Sequence, residues 1–485
     1  MGLLDRIKKT AQETVQSVPG KKSGRKVMVI GLDCAPPEHI FDEYKDEIPN
    51  LAKLVDNGMY GPLQSITPPI TVPAWACMMT SKDPGTLGIY GFRNRKDNTY
   101  EGLEFATSFK VKEPAVWDIL SAAGKDCIVM SVPPMYPPKP INGIQIGCFL
   151  TPTNEADYTY PKELKAELIE NVGDFIFDIR NFRTDDTQYI LDEAYKMTDM
   201  KFKTADYLLA NKPWDFFMMV EMGPDRLNHG IWSFIDPNHP RYQPDNPYKE
   251  SLREYYRFLD GKIGELLDKY ADADTTVLVV SDHGAKAMVG GVCFNEWLKA
   301  EGYLTFTDGD PSEITPINKL AIDWSKTKAW GDGGYYGRLF LKVQGREPNG
   351  IIPAADYENV RNELIEKIES MVDHEGKPMG NRALKPEETY VAQNGVPPDL
   401  IVIFGQLRWR SVGSLGHGSI YTFENDTGPD EANHAENGIF IMNNAPGMRA
   451  GEKAGLHLWD VHSTILDLFD LEPAAGALGT SALRK

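Results

Sequence analysis

Cysteine is scarce in this chain: five in 485 residues, at Cys34, Cys77, Cys127, Cys148 and Cys293. They are odd in number, scattered, and contain no CxxC pair. That fits a reducing compartment better than a disulfide framework. Long apolar runs are missing too. No stretch approaches the ~20 residues that span a bilayer, and the N-terminus lacks the apolar core of a signal peptide. Together these absences lead us to expect a cytoplasmic protein. Basic charge is also in deficit, with 51 Lys/Arg against 70 Asp/Glu and a net charge of −19. An acidic surface repels nucleic-acid backbones, so no nucleic-acid polymer is expected as a partner. No internal repeat or low-complexity tract is present.

The N-terminus departs from this balance. Residues 1–26 hold seven Lys/Arg against two Asp/Glu, with Leu3, Leu4, Ile7, Ala11, Val15 and Val18 roughly on one helical face. This basic leader reads either as a loose end before the fold or as a weak membrane-surface contact. Arg6 stands where a myristoylation signal needs Ser or Thr.

What the chain does have is a series of short apolar runs that end in polar residues. VMVIGL (27–32) runs into Asp33, WDFFMMVEM (214–222) into Gly223-Pro224-Asp225, and TTVLVVS (275–281) into Asp282-His283-Gly284. Such runs are buried parallel strands, and their C-terminal ends are where an open α/β sheet places its ligands. DCIVMSV (126–132) and GIFIMN (438–443) read as further core strands. Helices are expected over 38–58, 249–270 and 459–471, with 161–210 mainly helical. Residues 66–80, with Pro68, Pro69 and Pro73 ahead of the apolar stretch Ala74–Met79, read as a tight entry into a helix with Thr71 and Val72 at its mouth. The Pro- and Tyr-rich stretch 133–160 reads as a loop feeding an insertion. Residues 295–430 break the rhythm, with strands near 338–343 and 400–404 and a helix near 356–372. The predicted organisation is a core of 27–294 and 431–485, with an insertion at about 133–210 and an inserted cap lobe at 295–430.

Each polar cluster supports two readings. Asp282-His283 can share a cation at a strand end, or make a turn with a solvated imidazole. Asp225 and His229, four apart, share a helical face if a helix follows Pro224, or are an N-cap and a surface histidine. Asp33 binds something or closes an Asx-type turn before Ala35-Pro36-Pro37. Thr71, at a helix mouth, is a hydroxyl in positive dipole potential or an N-cap. His434, ahead of GIFIMN, is a further candidate ligand. His39, His239 and His374 lie in polar, surface-like segments. His462 should pack on the closing helix, while His417 and His457 stay open as groups that orient a ligand or as rival ligands.

These segments, in this order, resemble the alkaline phosphatase superfamily, in particular its type I phosphodiesterase/nucleotide pyrophosphatase branch. The matching pieces are VMVIGLDC, ITPPITVPAWACMMTSKDPGTLGIYGF, FMMVEMGPDRLNHGIW, VLVVSDHGAK and NHAENGIFIMNNAPG. The resemblance implies an α/β fold, a mostly parallel sheet flanked by helices. It implies one metal on Asp225, His229 and His434, and another on Asp33, Asp282 and His283. Thr71 would be the nucleophile, bridging toward the second metal. Asn94 is the nearest match to the family's phosphoryl-contacting asparagine, at a slightly longer spacing; Phe92 takes the simpler alignment. Pro73-Ala74 replaces the family's common Pro-Asn, which weakens the expectation of a nucleotide substrate.

The expected function is therefore phosphodiester or pyrophosphate hydrolysis of a small phosphate ester through a phosphothreonine intermediate, with two divalent ions. Asp and neutral His suit zinc, and the carboxylate-rich set also tolerates manganese. Lys82, Arg93, Arg95 and Lys286 lie near the motifs and would favour a monoester if they faced the site. Phosphomonoesterase or phosphomutase chemistry, or a non-catalytic metal-stabilised binding protein, are the alternatives. A sulfatase is disfavoured, because neither Cys34 nor Cys77 sits in a C/S-x-P-x-R pattern. Trp324, Trp330, Tyr335, Tyr336 and Trp409 are candidates to stack on a substrate ring or to pack the lobe. Arg338 and Arg346 reach a phosphate or pair with carboxylates.

Overall fold

The computed structural model describes residues 24–100, 102–307 and 309–485. The apolar face of the basic leader lies outside the described residues. No described helix is long and apolar enough to cross a membrane.

The main sheet is built on β1 (Lys26–Leu32), β2 (Met59–Gln64), β3 (Cys127–Met130), β4 (Gly143–Ile146), β5 (Thr159–Tyr160), β6 (Phe216–Glu221) and β7 (Thr275–Val280). After these come β8 (Gly284–Ala287), β9 (Ala432–Ala435) and β10 (Asn437–Asn443). Its ten strands include, in spatial order, the edge strand Gly451–Glu452, then β2, β10, β7, β1, β6, β3, β4 and β5; Leu456–His457 also pairs with β2. β7, β1, β6, β3 and β4 run parallel. Every residue of β6 and β7 is buried, as continuous apolar runs require when both faces are covered.

The register sets the level of the functional side chains. Leu32 faces Glu221 and Gly31 faces Val280. The residues just past these strands, Asp33, Gly223-Pro224-Asp225 and Asp282-His283, therefore meet at one edge. β10 is antiparallel to both β7 and β2, so its entry and the exit of β2 lie at that edge too. β8 and β9 form an antiparallel ribbon in which His434 faces Ala285.

Helices α1 (Pro49–Asn57), α2 (Thr71–Thr80), α3 (Thr187–Asn211), α4 (Gly223–Ile235), α5 (Ser251–Tyr270) and α6 (Leu458–Leu468) flank the sheet. α3, α4 and α5 pack together with α1 on α5, while α2 packs on α6. A second apolar core, including Phe294, Trp330, Leu339, Leu364, Val402, Phe404 and Trp409, belongs to a separate four-stranded sheet. That sheet is Ala329–Asp332, Gly337–Leu341, Leu400–Ile403 and Arg382–Leu384.

Two expectations change, and a third, the mainly helical 161–210, holds with a break inside it. The helix expected over 38–58 is α-helical only from Pro49; irregular helical turns at Glu38–Glu43 and Lys45–Glu47 precede it. Proline lacks an N–H and disfavours helical backbone in the residue before it. The stretch 133–160 is not all loop, since Gly143–Ile146 adds a parallel strand beside β3. Within 161–210 the helices Leu164–Asn171 and α3 are separated by an irregular segment, which carries Asp178 and Arg183.

Candidate active site

Thr71 is the first residue of α2, buried, and preceded by Ile70 as N-cap with no side-chain capping bond. It does not cap the helix. Its hydroxyl instead lies 3.2 Å from His283 Nε2. One turn on, Trp75 donates its indole N–H to Asp33 Oδ2 at 2.7 Å. Trp75 fits because residue 31 is glycine: a Cβ there would stand 2.6 Å from the indole.

The three histidines share one design. His229 Nδ1 lies 2.8 Å from Asp430 Oδ1, His283 Nδ1 3.1 Å from the Gly284 carbonyl, and His434 Nδ1 2.9 Å from the Pro69 carbonyl. All three partners only accept, so each Nδ1 carries the donated proton. His283 and His434, which stay neutral, then turn a bare Nε2 inward, while His229 points its Nε2 at Asp225 Oδ1, 3.4 Å away. His229 Nε2 and His434 Nε2 are 3.2 Å apart. His283 Nε2 is 3.2 Å from Asp282 Oδ2 and 3.8 Å from Asp33 Oδ1. The His283 and His434 rings stack, with centroids 3.7 Å apart. Asp225 and His229, one turn apart on α4, approach to 3.4 Å.

Facing these nitrogens are three buried carboxylate oxygens without a hydrogen-bond partner: Asp33 Oδ1, Asp225 Oδ1 and Asp282 Oδ2. Their neighbouring oxygens are held by Trp75, Arg226 and the Cys34 amide. Burial and the charge of Asp225 push Asp33 well above the usual carboxylate range. Burial and the charges of Asp33 and Asp225 do the same to Asp282. Burial opposes ionisation of Asp225, but His229 and Arg226 hold it well below that range. Burial lowers His283 to about 4, and burial with His283 and His229 lowers His434 well below its ordinary value. Burial also works against charging His229, yet Asp430 and Asp225 outweigh it and raise the group to about 9.

This donor set fits divalent cations. Bare Nε2 atoms and unpaired carboxylate oxygens, dry and a few Å apart, are mutually repulsive without positive charge between them. Three groups have ligand atoms within 4.8 Å of one another: Asp33–Asp282–His283, Asp225–His283–His434, and Cys34–Asp225–His229. The first matches one expected triad. The other two divide the second expected triad, with His283 common to two groups.

Asn94 stays apart. Its side-chain oxygen accepts from the Tyr90 amide and one N–H of its NH2 donates to the Gly91 carbonyl, which anchors the amide on its own turn. His417 bonds Ser414 and His457 stacks on Trp459; neither enters a candidate metal group among the described residues. His462 is buried with Nδ1 on the Met79 carbonyl, packed as expected. His39 and His239 are buried rather than on the surface, His39 lying between Tyr44 and Trp232. Of the five aromatic candidates, only Tyr335 reaches the site, its ring 4.9 Å from that of His229 and 4.2 Å from that of His434. Trp330 and Trp409 pack the second core, Trp324 stacks on Tyr100, and Tyr336 bonds the Tyr90 carbonyl. Arg338 and Arg346 pair with Asp332 and Asp399.

Four residues around the cluster escaped the sequence reading: Trp75, Arg226, Arg183 and Asp430. The first two lie inside matched segments, one turn after Thr71 and beside Asp225. Arg183 and Asp430 sit on irregular segments with no local signal.

The sequence model of the type I phosphodiesterase / nucleotide pyrophosphatase family matches residues 27–430. Among solved structures, murine ectonucleotide pyrophosphatase / phosphodiesterase 5 superposes with a TM-score of 0.54 at 15% identity, covering 93% of this chain and 96% of that one. An inactive threonine-to-alanine variant of it, in complex with AMP, gives 0.53 at 15% identity over 93% and 96%. The human protein of that name gives 0.53 at 13% identity over 94% and 97%. No curated protein sequence matches the chain. At these identities the structures speak for the alkaline-phosphatase-like fold, and the extent of the family match makes the chain a member of the type I phosphodiesterase/nucleotide pyrophosphatase family of hydrolases.

Proposed function

We propose that the protein hydrolyses small phosphodiester or pyrophosphate substrates through a phosphothreonine intermediate at a two-metal site. Asp225, His229 and His434 would hold one ion, and Asp33, Asp282 and His283 the other, with Thr71 the nucleophile beside them. The observation that carries this reading is the gathering of three histidine Nε2 atoms and three partnerless carboxylate oxygens into overlapping candidate metal groups, with Thr71 Oγ1 3.2 Å from one of those nitrogens, His283 Nε2. Two bound divalent ions would lower the pKa of the attacking hydroxyl and stabilise charge on the leaving oxygen. The imidazole and carboxylate donors suit zinc, and manganese is tolerated.

The chain's own contribution is position. Thr71 Oγ1 stands at the positive end of α2, where first-turn amides lack helical acceptors and favour a phosphoryl oxygen. Pro73, in that turn, has no N–H to leave unpaired. Thr71 attacks phosphorus in line, the ester bond on the far side breaks, and water later cleaves the phosphothreonine. That a threonine-to-alanine variant of the murine relative is inactive supports this choice of nucleophile.

The basic residues near the motifs favour the diester reading. Lys82 bonds the Ala475 carbonyl, Arg95 the Thr99 carbonyl and Glu347, and Lys286 Glu436. Arg93 lies over Phe105. None of these contacts is with the cluster.

The test compares bis(p-nitrophenyl) phosphate with p-nitrophenyl phosphate on metal-loaded protein, beside Thr71→Ala and a chelated control. Diester hydrolysis lost in both controls is expected. Preference for the monoester would move the assignment to phosphatase. Full activity of Thr71→Ala would overturn the nucleophile.

A further inference from the structure

The three candidate histidine ligands are anchored unequally. His283 and His434 lean on neutral backbone carbonyls, whereas His229 leans on a carboxylate, Asp430. Asp430 is fully buried at its side chain, and its second oxygen faces donors. Arg183 Nη2 is 3.1 Å away, the Tyr335 hydroxyl 3.4 Å, and Arg410 Nη1 4.0 Å. The backbone adds to the clamp, since the Glu431 amide donates to the His229 carbonyl at 2.9 Å. Glu431 Oε2 accepts from the Ser233 amide on the same helix.

The proposed triads also differ in charge. One holds two carboxylates, Asp33 and Asp282. The other holds one, Asp225, and it is the one with Asp430 behind its histidine. A carboxylate behind a ligating imidazole fixes the tautomer and makes the ring a stronger donor.

We propose that Asp430 is the positioning residue of the His229 ligand, keeping its proton on Nδ1, and that Arg183, Tyr335 and Arg410 fix Asp430 for that task. The inference rests on the two-metal reading above. The ring of donors makes it testable by a small change. In Asp430→Asn the amide oxygen is drawn to Arg183 and Tyr335, which only donate to it. The NH2 then faces His229 Nδ1, which must become the acceptor, and the proton moves to Nε2, where a metal would bind.

The experiment is a zinc titration of chelated full-length protein against a chromophoric competitor, resolving stepwise affinities. The expected result for Asp430→Asn is a roughly 10–100-fold weakening of one ion with the other unchanged. Asp332→Asn, which pairs with Arg338 in the four-stranded sheet and touches none of the groups around Asp430, should leave both unchanged. Should Asp430→Asn not fold, Arg183→Ala replaces it, with the same ion weakened by a smaller factor and the other unchanged. Unchanged affinities in the variant overturn the proposal. So does equal weakening of both ions with a matching loss of metal-free melting temperature, which marks a merely structural role. A wild type that binds fewer than two ions refutes the two-metal reading instead, and the variant's effect on the remaining ion still decides the role of Asp430.

Discussion

Removing divalent ions should destabilise this protein strongly, by an amount the geometry bounds. Asp33 Oδ1, Asp225 Oδ1 and Asp282 Oδ2 are buried without partners. A buried polar atom left unsatisfied costs roughly 1–3 kcal/mol, more if charged. Three of them give about 3–9 kcal/mol, a fall in melting temperature on the order of 10 °C. The metal-free protein softens this cost by taking up protons, which gives the loss a pH signature. The folded-state pKa values of Asp33, Asp282 and His229 are all raised. A raised folded pKa means the native state holds more protons, so its stability falls as pH rises. For His229 the contribution is full below about 6.5 and is lost through about 9, up to about 3 kcal/mol. Between pH 7 and 9 the lowered groups do not offset this. His283 and His434 are neutral in both states there, and Asp225 is ionised in both. Chelated protein should therefore melt lower at pH 9 than at pH 7. Zinc-loaded protein, whose ligands no longer take up protons, should show little of that slope. The assay is a thermal melt of loaded and chelated samples, with metal content measured on each. Equal melting temperatures for verified loaded and metal-free protein would refute the assignment of these oxygens as ligands.

Three further outcomes follow from named contacts. Gly31→Ala places a methyl 2.6 Å from the Trp75 ring and 2.9 Å from Val220; overpacking of this kind costs about 1–3 kcal/mol, read in a denaturation series. Trp75→Phe removes the 2.7 Å bond to Asp33 Oδ2, worth roughly 1.5–3 kcal/mol in the metal-loaded protein where Asp33 is ionised, and zinc affinity should fall with stability. Asn94→Ala should cost about 1 kcal/mol from the lost turn bonds and leave kcat/KM on a diester nearly unchanged; a loss of two orders of magnitude would restore the asparagine to the phosphoryl site.

The central cluster was legible because the code for it is local. A strand buried on both faces is an unbroken apolar run, and a polar residue at its end has nowhere to go but the sheet edge. Asp33, Asp225, Asp282 and His283 announce themselves in this way, and His434 stands just ahead of another such run. What surrounds them is not local. Asp430 and Arg183 meet across more than two hundred residues, on segments with no periodicity. Tyr335 looked no different from four other aromatics until the lobe was folded. His39 and His239 have polar sequence neighbours yet are buried, His39 against Trp232 and Tyr256 from distant helices. GIQI, hemmed in by prolines, was too short to declare itself a strand.

The position of β10 bears on how the molecule is made. This strand, residues 437–443, comes late in the chain yet lies between β2 and β7, paired to both. Until it emerges from the ribosome, β2 and β7 each present an unpaired edge, long and apolar in the case of β7. Exposed edges of that kind invite pairing with other chains. The nascent protein must therefore carry an open slot from the completion of β7 at Val280 until β10 begins at Asn437. Chain termination before residue 443 should yield aggregate rather than a smaller soluble enzyme, and protection from chaperones should matter most in the interval before that last central strand arrives.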